Sequence, residues 1–214
     1  MLDDIARQDG VAVMPDGLIE LDGLRQLSRA RQRNLIRHVL RERGLTPPSE
    51  AQLVAGLGQL LSARVDRQPL MNWPGGQIRR YRERLYVLAG DPERATAGLP
   101  DDYEWDGCAP LDLGPVRGRL QLISDDPTVR VPAALKVRFR RGGERLPAAD
   151  RRHHQRLKKV FQAQGIVPWM RAHVPLVIYD GELLAVADLW SSGAMAEWRD
   201  GSCRLVWDRH AVVR

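Results

Sequence analysis

The chain has 214 residues, of which 43% are apolar, and these values are typical of a globular protein with one large or two small domains rather than of a disordered chain. No apolar run approaches the roughly 18 residues that a membrane-spanning helix needs, and the N-terminus lacks the pattern of a signal peptide. We therefore expect a cytoplasmic protein with no membrane partner. The net charge of +6 allows a polyanionic partner without requiring one.

The chain opens with a short predicted helix and a predicted hairpin. Leu2–Gln8 favours one or two helical turns, which Gly10 is expected to end. Val11–Met14 and Leu18–Leu21 then flank Pro15-Asp16-Gly17, a turn signal, so a short antiparallel hairpin is expected there.

A helix rich in arginine follows, capped by Asp22 or Ser28 and stopped at Gly44. Between Arg25 and Arg43 there are seven arginines and one acid, Glu42. Arginines recur every four residues, at Arg29, Arg33, Arg37 and Arg41. Such a charged face is usually solvated. Like charges at this spacing repel each other, however, and an anionic partner would relieve them, so a nucleic-acid role is slightly favoured.

The rest of the first domain predicts one more helix and a second hairpin. Ser49, with Gln52 three residues later, matches a capping box for a helix through Leu61. Pro69–Trp73 and Ile78–Leu88 predict the two strands of the hairpin. Within it, the stretch Arg79-Arg80-Tyr81-Arg82 combines cations with an aromatic ring, a composition suited to phosphate contact and base stacking.

The second half of the chain predicts mostly strands. Gly90–Pro110 is acidic, lacks any periodicity and is interpreted as linker. Strands are then expected at Arg119–Ile123, Leu135–Phe139, Leu176–Tyr179, Leu183–Leu189 and Cys203–Trp207, with a hairpin turn at Tyr179-Asp180-Gly181-Glu182. One helix is expected between them, capped by Asp150 and ended by Gly165.

These patterns predict an α+β protein with two domains. Residues 1–90 would form a small helical domain with short antiparallel hairpins, and residues 91–110 an acidic linker. Residues 111–214 would form a mostly β, sandwich-like domain with one main helix.

The segment Leu135–Arg171 carries the strongest functional signal. From Lys136 to Arg171 there are eleven cations against two acids, Glu144 and Asp150. A strand that alternates basic and apolar residues would bury one face and leave the other cationic. A glycine-bearing loop and a basic helix that includes Arg151, Arg152 and Arg156 are expected to follow it. We interpret this as a nucleic-acid-binding surface that contacts phosphates and RNA shape rather than base edges.

Signatures of catalysis are missing from these 214 residues. There is no phosphate-binding loop that ends in Gly-Lys-Ser/Thr, no paired-histidine metal helix and no Gly-x-Ser-x-Gly motif. Cys108 and Cys203 lie too far apart to indicate a zinc site. His153 and His154 are adjacent, so on a helix they would not share a metal. Gly75-Gly76-Gln77 resembles a release-factor tripeptide, but a structural turn is preferred.

Four blocks of the basic half resemble, in order and spacing, the C-terminal domain of tRNA(Ile)-lysidine synthetases. They are Lys136-Val137-Arg138-Phe139-Arg140-Arg141-Gly142-Gly143-Glu144-Arg145-Leu146, Leu157-Lys158-Lys159-Val160-Phe161-Gln162, Ile166-Val167-Pro168-Trp169-Met170-Arg171 and Pro175-Leu176-Val177-Ile178-Tyr179-Asp180-Gly181-Glu182-Leu183. Arg31-Gln32-Arg33-Asn34-Leu35-Ile36-Arg37 and the stretch from Trp73 to Tyr86 are similar to the middle, substrate-recognition domain of that family.

The resemblance implies an enzyme that uses ATP to adenylate the wobble cytidine of an isoleucine tRNA and then attaches lysine. In the family, ATP with magnesium is held by an N-terminal pyrophosphatase domain that carries a Ser-Gly-Gly-x-Asp-Ser motif, and this motif is absent here. The resemblance therefore implies a tRNA-binding part with no catalytic residue and no cofactor of its own, inactive alone and joined in cis to the ATP domain. Isoleucine tRNA is the expected partner, and a homodimer is left open.

Thirteen cations are the candidate phosphate contacts. They are Arg33, Arg37, Arg79, Arg80, Arg82, Arg138, Arg140, Arg141, Arg145, Arg152, Lys158, Lys159 and Arg171. In the family the last domain grips the acceptor stem and the middle domain helps to hold the anticodon side. Some of these residues, above all the arginines near Glu144, could instead form structural ion pairs. The alternative function is a stand-alone RNA- or DNA-binding module without ligase activity.

Overall fold

A computed structural model describes residues 1–64, 67–124, 134–147, 154–193, 195 and 203–209. The chain divides into two compact units, Met1–Asp91 and Pro92–Arg214. Both combine helices with antiparallel strands, so the predicted α+β class is confirmed. Within the described residues, no helix has the length and hydropathy to cross a bilayer.

Four helices form the larger part of the first unit. They are α1 (Leu2–Val13), α2 (Leu21–Gln26), α3 (Arg29–Glu42) and α4 (Glu50–Ser62). Helix α1 continues through Gly10, so the expected stop there and the hairpin strand at Val11–Met14 are wrong. The reason is tertiary: Ala6 and Val13 are buried, and α1 packs along α3, where a Cβ at Gly10 would lie only 3.8 Å from Leu35.

Local hydrogen bonds and a glycine set the ends of helices α3 and α4. The Ser28 side chain accepts a hydrogen bond from the Arg31 N–H, so Ser28 rather than Asp22 caps α3. Ser49 and Gln52 form the predicted capping box of α4. Gly44, with φ of +69°, follows the last residue of α3 in the left-handed conformation that glycine favours.

The sheet of the first unit has the order β1-β4-β3-β2. Its strands are β1 (Ile19–Glu20), β2 (Leu70–Trp73), β3 (Gly76–Tyr81) and β4 (Arg84–Leu88). The predicted single strand Ile78–Leu88 is broken by a turn at Arg82, whose φ is +54°. Apolar side chains from α2, α3, α4 and the sheet then share one buried core, so the first unit has its own hydrophobic interior.

In the described part of the second unit, the strands form three antiparallel sheets. One has the order β13-β12-β11-β8-β5, a second β14-β7-β6 and a third β10-β9. The strands are β5 (Asp102–Trp105), β6 (Leu111–Asp112), β7 (Arg119–Ser124), β8 (Leu135–Arg138), β9 (Arg145–Pro147), β10 (His154–Arg156), β11 (Leu176–Tyr179), β12 (Glu182–Val186), β13 (Trp190–Ser191) and β14 (Cys203–Trp207). The helices whose bounds lie within the described residues are α5 (Pro92–Ala95), α6 (Leu157–Ala163) and a short 3-10 turn, Pro168–Met170.

The acidic stretch interpreted as linker is structured and belongs to the second unit. Strand β5 pairs with β8, with Asp102 opposite Arg138 and Glu104 opposite Lys136. Its Trp105 is buried, and the indole N–H donates to the Ala109 carbonyl over 2.7 Å. The acids are therefore the cross-strand partners of the basic strand, a pairing that local composition could not indicate.

The predicted hairpin at Tyr179-Asp180-Gly181-Glu182 is confirmed, with positive φ at both central residues as a type I′ turn requires.

The basic helix begins later in the chain than predicted. Arg156 ends strand β10, and α6 begins only at Leu157. Its proposed cap, Asp150, and the basic residues Arg151 and Arg152 lie outside the described residues.

Candidate nucleic-acid interface

Four of the five arginines of α3 are paired by acids from other helices. Arg33 Nε lies 2.9 Å from a carboxylate oxygen of Glu50, and Arg37 forms an ion pair with the other oxygen. Acids of α1 pair with two further arginines of the helix, Arg31 with Asp9 and Arg41 with Asp3. The arginine face is therefore compensated through tertiary contacts, although Arg33 and Arg37 remain partly exposed.

The three arginines of the second predicted cluster differ in their surroundings. Arg80 is 1% exposed and donates to the carbonyls of Leu60 and Ala63 at the end of α4, so its burial argues against the predicted phosphate contact. Arg79 donates to the Gln77 side chain. Arg82 is exposed in the β3–β4 turn, with its guanidinium 5.3 Å from the centre of the Tyr81 ring.

Strand β8 has the predicted alternation, but its polar face is not purely cationic. Leu135, Val137 and Phe139 are buried, while Lys136 reaches Asp102 over 3.2 Å. Arg141 also reaches Asp102, over 2.9 Å. Burial by itself would raise the pKa of Asp102, but the hydrogen bond from Lys136 and the positive charge of Arg141 outweigh it and lower that pKa.

Glu144 organises the glycine-bearing loop after β8. Its carboxylate is 6% exposed, accepts from the backbone N–H groups of Arg141 and Gly142, and pairs with Arg138 and Arg140. Burial favours a raised pKa for Glu144, but the backbone donors and Arg138 outweigh it and hold the pKa below its ordinary value. The sequence-based alternative, structural ion pairs around Glu144, is confirmed for Arg138 and Arg140.

Arg171 occupies a structural position. It is 8% exposed, and its Nε donates to the Ile166 carbonyl over 2.9 Å. Trp169, the aromatic residue two positions before Arg171, is also buried. This burial argues against the predicted role of the segment in RNA contact.

Four exposed cations lie on β9, β10 and the first turn of α6, and we call them the β10–α6 patch: Arg145, Arg156, Lys158 and Lys159. Arg145 and Arg156 are directly opposite in the β9–β10 pair, so their side chains leave the same face. No residue in the described ranges forms an ion pair with any of the four. The patch therefore combines exposed cations, two of them cross-strand neighbours, with no acidic partner among the described residues.

Three residues at these sites, Arg156, Asp102 and Glu50, were not predicted as site residues from the sequence. Arg156 was assigned to a helix, and the two acids matter only through partners distant in the chain. Arg152 was selected but lies outside the described residues. In the part of the chain that the structure describes, no cluster of histidine, cysteine, aspartate or glutamate has the arrangement of a metal site.

Two family models match the chain in the order of its two units. The one described as TilS substrate binding domain matches residues 20–86, which lie in the first unit. The one described as TilS substrate C-terminal domain matches residues 135–207, which include β8, the Glu144 loop and the β10–α6 patch.

Curated relatives named tRNA(Ile)-lysidine synthase match most of the chain. The relative from Alkalilimnicola ehrlichii is 40% identical over 194 residues, which are 88% of this chain and 43% of that protein. The relative from Xylella fastidiosa (strain Temecula1) is 36% identical over 201 residues, 92% of this chain and 45% of that protein. The chain thus spans less than half the length of these relatives.

Proposed function

The chain belongs to the tRNA(Ile)-lysidine synthase family, and from this premise we propose that it is the tRNA-binding part of a ligase. The substrate would be an isoleucine tRNA, and the reaction would attach lysine to its wobble cytidine at the expense of ATP. A tRNA substrate agrees with the cytoplasmic location expected from the sequence.

The observation that carries the proposal is the β10–α6 patch. Two arginines directly opposite each other on a strand pair repel, and neither Arg145 nor Arg156 has an acidic partner among the described residues. A phosphate placed over this pair would replace repulsion with two charge-assisted hydrogen bonds. Lys158 and Lys159, which follow within three residues in the first turn of α6, add two exposed positive charges. The patch thus suits an RNA backbone more closely than the compensated arginines of α3.

We assign recognition to this chain and catalysis to a domain outside these 214 residues. The support is the missing Ser-Gly-Gly-x-Asp-Ser motif and the greater length of the relatives. In this proposal ATP and magnesium are bound by an N-terminal domain in cis, and the chain by itself binds tRNA without modifying it.

Salt-dependent binding of isoleucine tRNA tests the proposal. The double variant Arg145→Ala with Arg156→Ala is expected to weaken binding about tenfold at low salt. It should also reduce the slope of log K against log salt by about 1.5, because each phosphate contact contributes about 0.7–0.9 to that slope. The measurement is fluorescence anisotropy of labelled tRNA between about 50 and 200 mM salt.

A matched control removes the same charge from another sheet of the same unit. Arg119 on β7 and Arg204 on β14 are exposed, and their double replacement by alanine should leave the slope nearly unchanged. Equal losses in the two double variants would show that net charge, not the patch, governs binding. Equal affinity of the wild type for tRNA and for duplex DNA would favour the stand-alone binding module.

A further inference from the structure

A groove with cationic walls lies between α3 and α4 in the first unit. Its volume is about 410 Å³, within the range of roughly 300–1,000 Å³ seen for sites that hold small organic groups. The lining residues that matter here are Arg25, Arg29, Arg33, Val54, Gly58 and Leu61. No acidic residue occurs among those that the structure describes along its walls.

The three arginines differ in the number of ion pairs and hydrogen bonds that they form with the protein. Arg25 pairs with Asp22 and Glu83 and donates to the Leu61 carbonyl, which fixes it at one end of the groove. Arg33 pairs with Glu50. Arg29 is exposed and has no ion-pair or hydrogen-bond partner in the described part of the chain. One guanidinium is therefore held in place by protein contacts, and another is available to a ligand.

The α4 side of the groove is apolar and open. Val54 is 48% exposed, and Leu61, which lines the same groove, is half-buried. At Gly58, one turn after Val54, an added Cβ would meet no atom within 4 Å. The floor thus offers an exposed apolar side chain at Val54 and open space at Gly58.

We propose that this groove binds one unstacked nucleotide of the RNA. The base would lie against Val54 and Leu61, and the adjoining phosphate would pair with Arg29. This inference rests on the proposed function and deepens it, because it adds a site for a single-stranded part of the tRNA to the backbone contacts of the β10–α6 patch. Unpaired loop nucleotides are the parts of an RNA whose bases can leave the stack.

A nucleotide matches both properties of the groove. A phosphate ion alone would leave Val54 and the open surface at Gly58 in water. An apolar peptide would cover that surface but would place Arg29 and Arg33 beside a ligand with no negative charge. A base with its phosphate provides an aromatic face for the floor and an anion for the walls, and stacking plus phosphate contact is the usual way in which single strands are bound.

The test fills the groove at Gly58 and compares two RNAs. Gly58→Phe places a ring where the base would lie, and Gly58→Ala is the control that keeps the groove open. Both replacements favour the helix, since glycine is the poorer helix former and φ at this position is not in the left-handed region. Isoleucine tRNA and a blunt RNA duplex of equal charge are the probes, titrated at one salt concentration.

The expected result is about tenfold weaker binding of tRNA by Gly58→Phe, with the affinity for the duplex unchanged, and wild-type behaviour of Gly58→Ala. Wild-type affinity of Gly58→Phe for tRNA would overturn the inference and leave the proposed function intact. Failure of the wild-type chain to bind tRNA would overturn both. If Gly58→Phe changed the oligomeric state without changing the RNA affinity, the groove would be a contact surface for a second copy of the chain. That result would overturn the proposal that the groove binds a nucleotide.

A second variant tests the proposal independently, in case Gly58→Phe does not fold. Arg29→Ala removes one cation from the wall, leaves the α4 floor intact and is expected to weaken tRNA binding about threefold to tenfold, with the salt slope lower by about one phosphate contact. Arg94→Ala, an exposed arginine of the second unit, is the matched charge control and should have a smaller effect. Equal effects of the two variants would overturn a specific phosphate contact at Arg29.

Discussion

At the scale of single residues, Glu144 has the most defined role in the second unit. One nearly buried carboxylate satisfies two backbone N–H groups of a loop in which Gly142 and Gly143 both have positive φ. The same carboxylate neutralises Arg138 and Arg140, which would otherwise repel each other across the strand end. The loop that precedes the β10–α6 patch is therefore held by a charge-assisted network.

Glu144→Gln tests this role through the pH dependence of stability. The folded pKa of Glu144 is lower than that of the unfolded chain. Its contribution is therefore fully present above the unfolded value of about 4.3 and is lost as the pH falls through the folded value. We expect the variant to lose roughly 1–3 kcal/mol in the free energy of unfolding at pH near 7 and progressively less below about 4.3.

Urea unfolding of both proteins across that pH range is the measurement. Glu182→Gln removes an exposed carboxylate from the β11–β12 hairpin and serves as control, with little effect expected at either pH. A loss in Glu144→Gln that stayed constant with pH would contradict the ionic role.

At the scale of elements, the behaviour of α3 depends on α4. Arg33 and Arg37 share Glu50, the first residue of α4, so an RNA phosphate that approached them would compete with a protein carboxylate. Both arginines are partly exposed and Glu50 is exposed, and an ion pair at such a surface is worth only about 0–1 kcal/mol. The competition is weak enough for RNA to displace the carboxylate.

Glu50→Gln is therefore expected to strengthen tRNA binding by up to about fivefold at low salt, because it frees two guanidinium groups at little cost in stability. Binding titrations at low and high salt provide the measurement. Glu42→Gln removes an equal charge from α3 itself, where Glu42 has no ion-pair partner among the described residues, and is the matched control. An equal gain in both variants would indicate a general effect of net charge.

At the scale of the whole molecule, the chain consists of two units with separate interiors. The first unit buries a continuous apolar cluster drawn from its helices and its sheet. At this length a single core can support independent folding, since the lower limit without disulfides or metals is about 40 residues. The division after Asp91 is therefore expected to separate two folding units.

We expect residues 1–91, expressed alone, to unfold cooperatively in urea, because no buried part of that core is supplied by the second unit. Circular dichroism during urea unfolding is the measurement. Leu53→Ala in the same segment should lower its free energy of unfolding by about 2–5 kcal/mol, since Leu53 is fully buried. A broad, non-cooperative transition of the isolated segment would contradict independent folding.

Features governed by neighbouring residues were predictable from the sequence alone. The Ser49 capping box, the end of α3 before Gly44 and the hairpin turn at Asp180-Gly181 depend on interactions within a few residues. The α+β class and the family likewise follow from local motifs in their order along the chain. These features depend only on residues close together in the chain, so they can be predicted without knowledge of the fold.

Which cations face solvent was decided by the tertiary structure. Arg80 and Arg82 are two residues apart in one basic stretch, yet the first is buried against the end of α4 and the second lies in an exposed turn. Asp102, assigned to a linker by its composition, neutralises Lys136 more than thirty residues away. The energy of a charge depends on its burial and on its nearest opposite charge, and both are set by contacts between segments far apart in the chain.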